Sequence, residues 1–599
     1  MRYPTLEELP VSRSMQEEFL GYNHNLRIGG GEFYDMKNLT SSYYPVLSPR
    51  GKRGVYAEPS SPQGMISKDN LCYVDGRKLY INKEEVVGLE LTSATPKQLI
   101  SMGAYIIIMP DKKWVNTGSE EKGEGFTYGD IEAEFNSEEE TISVEYEMCK
   151  ADGELYNVTP SPTPPAKNED GTYPLWLDSS STPHALKQYS TTNSVWSQIA
   201  TTYIKISAPN IAREFKQYDA VKITGLPTND TAFKDLEGKI SPLWEVYHDE
   251  SGGGQGDYII VIGFLDEAMK ENSKLRLERK MPLLDFVTES GNRLWGCRYG
   301  LNADGEVVNE IYASKLGDFK NWFCYMGLST DSYAASCGTD GQWTGAITHL
   351  GYPLFFKENY LHKVYGNFPA NYQIQSTACR GVQKGSGNSL AIVNEILYYK
   401  GRNGICAYDG SLPSEISYQF GEEKYSEAVA GAHGNKYYIS MKDNKGEYHL
   451  FVYDTSKGMW HKEDNTNALC FCSCRDEMYY VDRTDNKIKT ILGSGTVEDG
   501  PVEWMAETGV IGTSSPDKKY VSKLNIRMAL DKGSEVSFYA QYDSFGEWHH
   551  LSSMVGSSLR TFSTPIRPRR CDHFRLRIVG KGDAKIYSIA KTIEEGSDI

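Results

Sequence analysis

Three cysteines spaced two residues apart are the densest set of reactive side chains in the sequence. Cys470, Cys472 and Cys474 would present their thiols on one face of a β-strand, because successive strand side chains point to opposite faces. A structural zinc site usually has Cys-x-x-Cys spacing and a second pair of ligands, which the sequence does not offer. We therefore interpret these cysteines as buried strand residues, and we predict neither a metal nor any other cofactor.

Paired carboxylates are the other candidate chemistry, because glycosidases cleave with two acidic side chains. Asp318, Asp340, Glu395 and Asp409 fall at corresponding positions of a repeated unit. Asp340 and Asp409 each precede a glycine, a turn context in which Asp is favoured for local hydrogen bonding. The sequence has no phosphate loop, nucleophile elbow or His-Glu-x-x-His motif. We predict no enzymatic activity, and we keep a carbohydrate-directed propeller, either receptor-binding or glycoside-cleaving, as the alternative.

The charge balance disfavours ordinary nucleic-acid binding as the main activity. The chain carries 80 acidic and 63 basic residues, a net charge of -17, and such a surface repels a phosphate backbone. Two interpretations stay open. The charge serves solubility, or it forms an acidic wall along which nucleic acid slides without sticking.

A short aromatic and branched run recurs after Gly, Asn or Asp along the chain. The instances begin at residues 70, 103, 292, 351, 394, 434 and 476. The last four are separated by steps of 43, 40 and 42 residues, which is the length of one four-stranded propeller blade. A single blade cannot bury both faces, so blades must stack around an axis. The repeat predicts an all-β protein with a β-propeller of roughly six to eight blades.

Changes in composition divide the chain into five predicted parts. A proline-rich stretch interrupts the repeat, and a period-two alternation of polar and apolar residues marks the last hundred residues. Helix is expected only at residues 5–19 and 265–275. The predicted parts are an N-terminal docking segment (1–55), the first blades (56–118), an inserted β-rich domain with a proline-rich linker (119–288), the remaining blades (289–497) and a C-terminal β-sandwich (498–599).

Neither a secretory signal nor an apolar run of membrane-spanning length is visible, so we expect a soluble product of a reducing cytoplasm without a membrane anchor.

One basic cluster, Arg50 to Arg53, follows a segment rich in Tyr and Pro. It is either a solvated turn or an arm that docks along a partner surface. The candidate partner-docking residues are Phe33, Tyr43, Tyr44, Arg50 and Arg53.

Residues 32–53 resemble the start of the stabilization or tail-nozzle (tail hub) proteins of tailed bacteriophages. The likeness continues through residues 64–76, the propeller repeat from about 291 to 490 and residues 574–580, whereas the insertion from 120 to 288 lies outside it. The resemblance implies a homohexameric ring in the virion tail, below the portal and adaptor proteins and assembled in the host cytoplasm. Such a ring would extend the DNA channel, retain packaged DNA and take part in its ejection, while double-stranded DNA passes without specific binding.

Overall fold

The computed structural model describes residues 11–93, 96–118, 125–137, 142–227, 231–497, 499–513, 518–544, 546–564 and 569–595. Within these residues the protein is built from β-strands, which confirms the predicted all-β class, and no α-helix is present. The short 3-10 helices are Thr231–Asp235, Pro369–Asn371, Gly387–Ser389 and Tyr418–Phe420. No helix in the described part of the chain is long and apolar enough to cross a membrane.

Both predicted helices are wrong where the structure describes them. Val11–Gln16 is a strand that pairs with Ala584–Glu595, and Met269–Ser273 is a strand that pairs with Ile142–Cys149. Residues 5–10 of the first predicted helix lie outside the described residues. In both places the backbone bonds to a strand distant in sequence, and such pairing overrides a weak local helix preference.

The chain divides into two compact units. The first unit contains residues 1–99, 339–363 and 376–599, and the second contains residues 100–338 and 364–375. The predicted five-part division was based on changes in composition along the chain, whereas these two units are defined by contacts between residues. Strands from distant parts of the chain meet within the first unit.

Seven sheets, numbered here as blades 1 to 7, have the up-and-down strand order of propeller blades. Blades 1 to 6 have four strands each, and blade 7 has a fifth strand at its edge. Blade 1 contains Pro62–Lys68, Asn70–Asp75, Lys78–Ile81 and Glu84–Glu85. Blade 2 contains Gln98–Met102, Tyr105–Met109, Lys113–Asn116 and Thr127–Asp130. Blade 3 contains Phe286–Ser290, Arg293–Leu301, Val307–Ala313 and Tyr333–Ser336. Blade 4 contains Gly345–His349, Tyr352–Lys357, Tyr360–Tyr365 and Gln373–Ala378.

The remaining three blades belong to the first unit, as blade 1 does. Blade 5 contains Ala391–Val393, Ile396–Lys400, Ile405–Tyr408 and Ser414–Glu415. Blade 6 contains Tyr425–His433, Lys436–Asp443, Tyr448–Asp454 and Met459–Lys462. Blade 7 contains Ala468–Cys474, Glu477–Asp482, Ile488–Thr490 and Gly54–Ala57, with Thr496–Val497 added at its edge. Each of the seven runs found in the sequence forms the second strand of one blade, which confirms the propeller repeat.

Blade 7 is completed by a strand from near the start of the chain. Gly54–Ala57 pairs with Ile488–Thr490 and supplies the fourth strand, so residues more than 400 positions apart share one sheet. Leu71 of blade 1 then joins Cys474 and Val481 of blade 7 in one buried cluster. This arrangement lets neighbouring blades cover each other's apolar faces, which a single blade cannot do.

The region between blades 2 and 3 forms two further sheets in the second unit. An eight-stranded sheet has the order Ala133–Asn136, Arg276–Arg279, Ala220–Thr224, Ile240–Tyr247, Tyr258–Ile262, Tyr203–Ser207, Ile142–Cys149 and Met269–Ser273. A smaller sheet contains Pro160–Ser161, Trp176–Asp178, Ala185–Ser190 and Val195–Gln198. Part of the predicted proline-rich linker is therefore a strand, and Trp176 Nε1 donates to the carbonyl of Ser161 at 2.8 Å.

One eight-stranded sheet, named here the terminal sheet, joins both ends of the chain. Its order is Val11–Gln16, Ala584–Glu595, Lys519–Tyr542, Phe574–Lys581, Glu503–Thr508, Glu32–Lys37 and Gly21–Tyr22, with His549–Thr564 paired to Lys519–Tyr542. The 24-residue strand Lys519–Tyr542 pairs with Ala584–Glu595 through its first half and with Phe574–Lys581 through its second half. Residues 1–55 are therefore not a separate docking segment, because strands from this range complete the terminal sheet and blade 7.

Candidate binding cleft

The structure separates the five predicted docking residues into interior and surface groups. Phe33 is only 2% exposed, and its ring stacks on Phe19 with ring centroids 6.0 Å apart. Arg53 is 4% exposed, whereas Tyr43 and Tyr44 are 52% and 36% exposed. The docking assignment of Phe33 and Arg53 is therefore corrected, because a buried side chain cannot meet a partner's surface.

Arg53 is the centre of a buried ion network in the first unit. Its Nη2 lies 2.5 Å from Glu463 Oε2, and its Nη1 lies 2.9 Å from an oxygen of Asp464. Nη1 also donates to the hydroxyl of Tyr480 at 3.0 Å. Burial alone would lower the pKa of Arg53, but the nearby carboxylates outweigh burial and raise that pKa well above its usual value.

Arg50 extends this network towards the surface. Its Nη1 lies 2.7 Å from Asp499, and its Nε donates to the side-chain oxygen of Asn38 at 2.8 Å. Burial raises the pKa of Asp464, but Arg53 and then Arg50 outweigh that effect, so the pKa of Asp464 lies below its usual value. The two arginines of the basic cluster that suggested an arm in the sequence are thus neutralised by carboxylates of the protein itself, whereas Lys52 between them is exposed.

A network of backbone and hydroxyl contacts fixes the segment that carries Tyr43. Leu39–Thr40 pairs with Ser48–Pro49, which closes the intervening residues into a loop. Ser41 Oγ donates to Asp454 of blade 6 at 2.6 Å. Leu47 exchanges two backbone hydrogen bonds, of 3.1 and 2.9 Å, with Ile586 of the terminal sheet. The loop is therefore anchored on two sides, and its tyrosines project from a fixed base.

This loop forms one wall of a polar cavity of about 590 Å³, which we call the cleft. Its walls come from the loop and the following turn, from blades 6 and 7, and from the terminal sheet, all within the first unit. Its lining includes Thr40, Ser42, Tyr43, Arg50, Lys436, Asp531, Asp583, Lys585 and Tyr587. Of the predicted docking residues, the cleft brings together Tyr43 and Arg50.

Lys436 is the most unusual cation of the cleft. Its Nζ donates to Ser42 Oγ at 2.9 Å and to Thr40 Oγ1 at 3.1 Å. Within the described residues no carboxylate lies within 4.0 Å of this ammonium group. Burial lowers the pKa of Lys436, although Glu463 and Asp454 partly oppose the shift. The sequence offered no local signal for this residue, since its neighbours Thr40 and Ser42 are almost 400 positions away.

Of the carboxylates considered as catalytic groups, Asp318, Glu395 and Asp409 lie at turns or bends, whereas Asp340 lies in irregular backbone. Asp409 accepts from the backbone N–H and hydroxyl of Ser411 at 2.9 and 2.6 Å, and Asp318 accepts from the backbone N–H of Lys320 at 3.0 Å. Glu395 has a positive φ of 68° between two strands of blade 5, and Asp340 is exposed. The side chains of Asp318 and Asp409 therefore serve local turn geometry, and none of the four carboxylates lines the cleft.

The three cysteines lie on the first strand of blade 7. Cys474 packs with Leu71 and Tyr73 of blade 1, and Cys470 and Cys472 pack against the same cluster. Burial raises the pKa of Cys470 to about 12 and also raises the pKa of Cys472, so both thiols stay protonated at neutral pH. Metal ligation requires the thiolate, and this environment opposes it.

One group of possible metal ligands occurs in the described residues, at a hairpin of blade 6. Side-chain atoms of Asp443, Glu447 and His449 lie within 4.8 Å of one another. His449 Nε2 is 2.9 Å from Asp443, and its buried Nδ1 has no hydrogen-bond partner. A metal on Nε2 would place the ring proton on Nδ1 without an acceptor, whereas metal-bound histidines usually donate that proton. We assign no metal to this group.

The fold and the cleft define an all-β protein of the propeller class with a polar surface cavity. No protein-family model and no curated protein matches the chain. Solved structures similar to it include the propeller domain of the Trilobed protease from Pyrococcus furiosus, at 9% identity and a TM-score of 0.26, covering 75% of this chain and all of that one. Trypanosoma rangeli sialidase has 10% identity and a TM-score of 0.23 and covers 73% of this chain and 94% of its own.

A third similar structure is an exo-beta-1,3-galactanase from Phanerochaete chrysosporium, at 9% identity and a TM-score of 0.21, covering 51% of this chain and 94% of its own. Several of the similar structures are glycoside hydrolases, and one is a sialidase. These neighbours contradict the prediction that the chain is not an enzyme. At such low similarity the neighbours assign no activity or catalytic residue to this chain.

Proposed function

We propose that the chain is a structural protein of a tailed-phage virion, one subunit of a nozzle or hub ring in the tail. The supporting observation concerns residues 32–53, the segment by which the sequence resembles that family. Asn38 and Arg50 bond to each other, and Arg53 forms the buried ion network with blade 6 and blade 7. The segment is therefore a brace of the fold, which suits a ring subunit that must keep its shape while DNA passes.

The charge of the chain supports the same proposal. A net charge of -17 offers few counter-ion contacts to a polyanion, so DNA can move along such a protein without being held. Tyr43 and Tyr44 are the exposed members of the predicted docking set, and in this proposal they face a neighbouring tail protein such as the adaptor.

Ring formation is tested with the purified full-length chain by light scattering and negative-stain electron microscopy. We expect closed rings, since head-to-tail interfaces close into cyclic assemblies. The expected number of copies is six, which is what the resemblance to the tail-nozzle proteins implies. A protein that stays monomeric at every concentration, and also in the presence of its portal and adaptor proteins, would contradict the proposal.

A second candidate function is that of a carbohydrate-directed propeller. The cleft favours it, because Tyr43 and Tyr587 offer aromatic surface beside the carboxylates of Asp531 and Asp583. Ligand pockets typically combine such surface with a few polar groups that orient the ligand. A saccharide array with the full-length chain tests this candidate, and we expect retention of defined sugars that Tyr43→Ala reduces. No retention on the array would remove it.

A further inference from the structure

The cleft contains cations and carboxylates that are not paired with one another. Lys436 and Lys585 have no carboxylate within 4.0 Å in the described part of the chain, and Asp531 and Asp583 have no cation within that distance there. Lys436 is half-buried, and a lysine removed from water usually has an acidic partner, so its lack of one is notable. Unpaired groups of both signs in one cavity indicate a ligand that carries complementary groups of both kinds.

We propose that the cleft binds an acidic saccharide, with Lys436 holding the sugar carboxylate and Asp531 and Asp583 accepting hydrogen bonds from the sugar hydroxyls. The proposal rests on the second candidate function and names its ligand class. The cavity of about 590 Å³ lies within the usual range for small-molecule sites, roughly 300–1,000 Å³.

Lys436 has the geometry of an anion-binding residue. An ammonium group has three donors, and two of them are used by Thr40 and Ser42. The nearby carboxylates are engaged elsewhere, because Glu463 pairs with Arg53 and Asp454 pairs with Lys457 at 2.9 Å. One N–H of Lys436 remains for a ligand carboxylate, and the two hydroxyls hold the amine in place.

The aromatic rim distinguishes a sugar from a simple anion. Tyr43 is half exposed, and Lys585 Nζ lies 4.3 Å from the centre of its ring. Tyr587 lines the same cavity. An amphipathic tyrosine ring offers an apolar face to the C–H face of a sugar, and an inorganic anion gains nothing from it.

Asp531 and Asp583 supply hydrogen-bond acceptors to the cleft. Asp531 lies on the long strand Lys519–Tyr542, and Asp583 lies just before the strand Ala584–Glu595. A backbone hydrogen bond of 3.2 Å from the Asp531 N–H to the Asp583 carbonyl holds the two residues together. Two exposed carboxylates repel any anion placed beside them, but they are good acceptors for the hydroxyl donors that a sugar acid carries away from its own charge and that sulfate lacks. A neutral sugar would leave Lys436 without its anion. A sugar acid satisfies all of these groups.

The test compares glucuronate with glucose by isothermal titration calorimetry or saturation-transfer NMR on the full-length protein. The two probes differ in the carboxylate at one carbon. We expect glucuronate to bind at least about tenfold more tightly, as a charge-assisted hydrogen bond allows. Lys436→Met keeps the apolar stem, and Thr40 and Ser42 can bond to each other at 3.0 Å in its absence. This variant should lose that preference.

Lys445→Met is the matched control, since Lys445 is an exposed lysine in the hairpin turn of blade 6 and lies outside the cleft. It should bind glucuronate as the unaltered protein does. Equal binding of glucose and glucuronate, or an unchanged preference in Lys436→Met, would overturn the acidic-sugar proposal and leave carbohydrate binding standing. Absence of binding by any saccharide on the array would overturn both.

Discussion

Arg53 and Glu463 form a buried ion pair, with Nη2 and Oε2 2.5 Å apart, that ties the residues before blade 7 to the end of blade 6. Glu463 also lies 4.0 Å from Arg50, and Asp464 accepts from both arginines. The pair is therefore the centre of a network in which each buried charge depends on the others.

Replacing Arg53 with Met should destabilise the protein by about 3–5 kcal/mol, because Glu463 and Asp464 would be left buried without their cation. Urea unfolding followed by circular dichroism measures the loss. Arg27→Met is the control, since Arg27 is exposed, and it should change stability by less than about 0.5 kcal/mol. Similar unfolding midpoints for the two variants would show that the network contributes little.

Trp460 is a second residue whose truncation should be severe. It is fully buried, and its Nε1 donates to the carbonyl of Ile416 in the neighbouring blade at 2.8 Å. Trp460→Ala should cost about 3–5 kcal/mol, because it opens a cavity and orphans that carbonyl. The measurement is the melting temperature in thermal unfolding. Tyr418→Ala removes a ring that is 74% exposed and should change that melting temperature little. Equal melting temperatures would contradict this role for Trp460.

Gly381 lies where the backbone of blade 4 leaves no room for a side chain. A Cβ at this position would be 1.8 Å from the carbonyl oxygen of Lys357. Gly381→Ala should therefore destabilise the protein by about 1–3 kcal/mol or more, since the backbone must move to relieve the overlap. Gly51→Ala, where nothing lies within 4 Å of the added carbon, should be tolerated in the same urea titration. The idea fails if Gly381→Ala unfolds at the same denaturant concentration as Gly51→Ala.

His461 should make stability depend on pH. Burial lowers the pKa of His461 from its usual value of 6.5 to about 3, so the folded protein keeps the ring neutral where the unfolded chain protonates it. Stability is therefore fully present above pH 6.5 and falls as the pH drops from 6.5 towards 3, by about 1.4 kcal/mol for each pH unit.

The measurement is the free energy of unfolding at several pH values for the unaltered protein and for His461→Gln. Between pH 6.5 and 3, the free energy of unfolding of the variant should change less steeply with pH than that of the unaltered protein, whatever the variant's absolute stability. His362, whose pKa burial lowers to about 4, contributes a similar slope that remains in the variant. His550→Gln, at an exposed position, should leave the slope unchanged. Parallel curves for His461→Gln and the unaltered protein would rule out the proposed role of His461.

The propeller was predictable because its signal is local and repeated. Each blade needs a central strand that is buried on both faces, so runs such as Tyr437-Tyr-Ile439 recur at nearly constant spacing. The docking set was only partly predictable. Arginines are also the residues expected in an exposed basic arm, so their type did not show that Arg50 and Arg53 form ion pairs within the protein. Their carboxylate partners lie more than 400 positions away in the sequence.

The amino-acid sequence alone determined the all-β class, the blade length and the position of the second strand of every blade, because these depend on residue types that are near neighbours in the chain. Only the tertiary structure decided that Gly54–Ala57 completes blade 7, that Arg53 is buried and that Lys436 meets Thr40 and Ser42 in the cleft. Those contacts join segments hundreds of residues apart, and no local pattern of polarity records which distant strand or charge a side chain will meet.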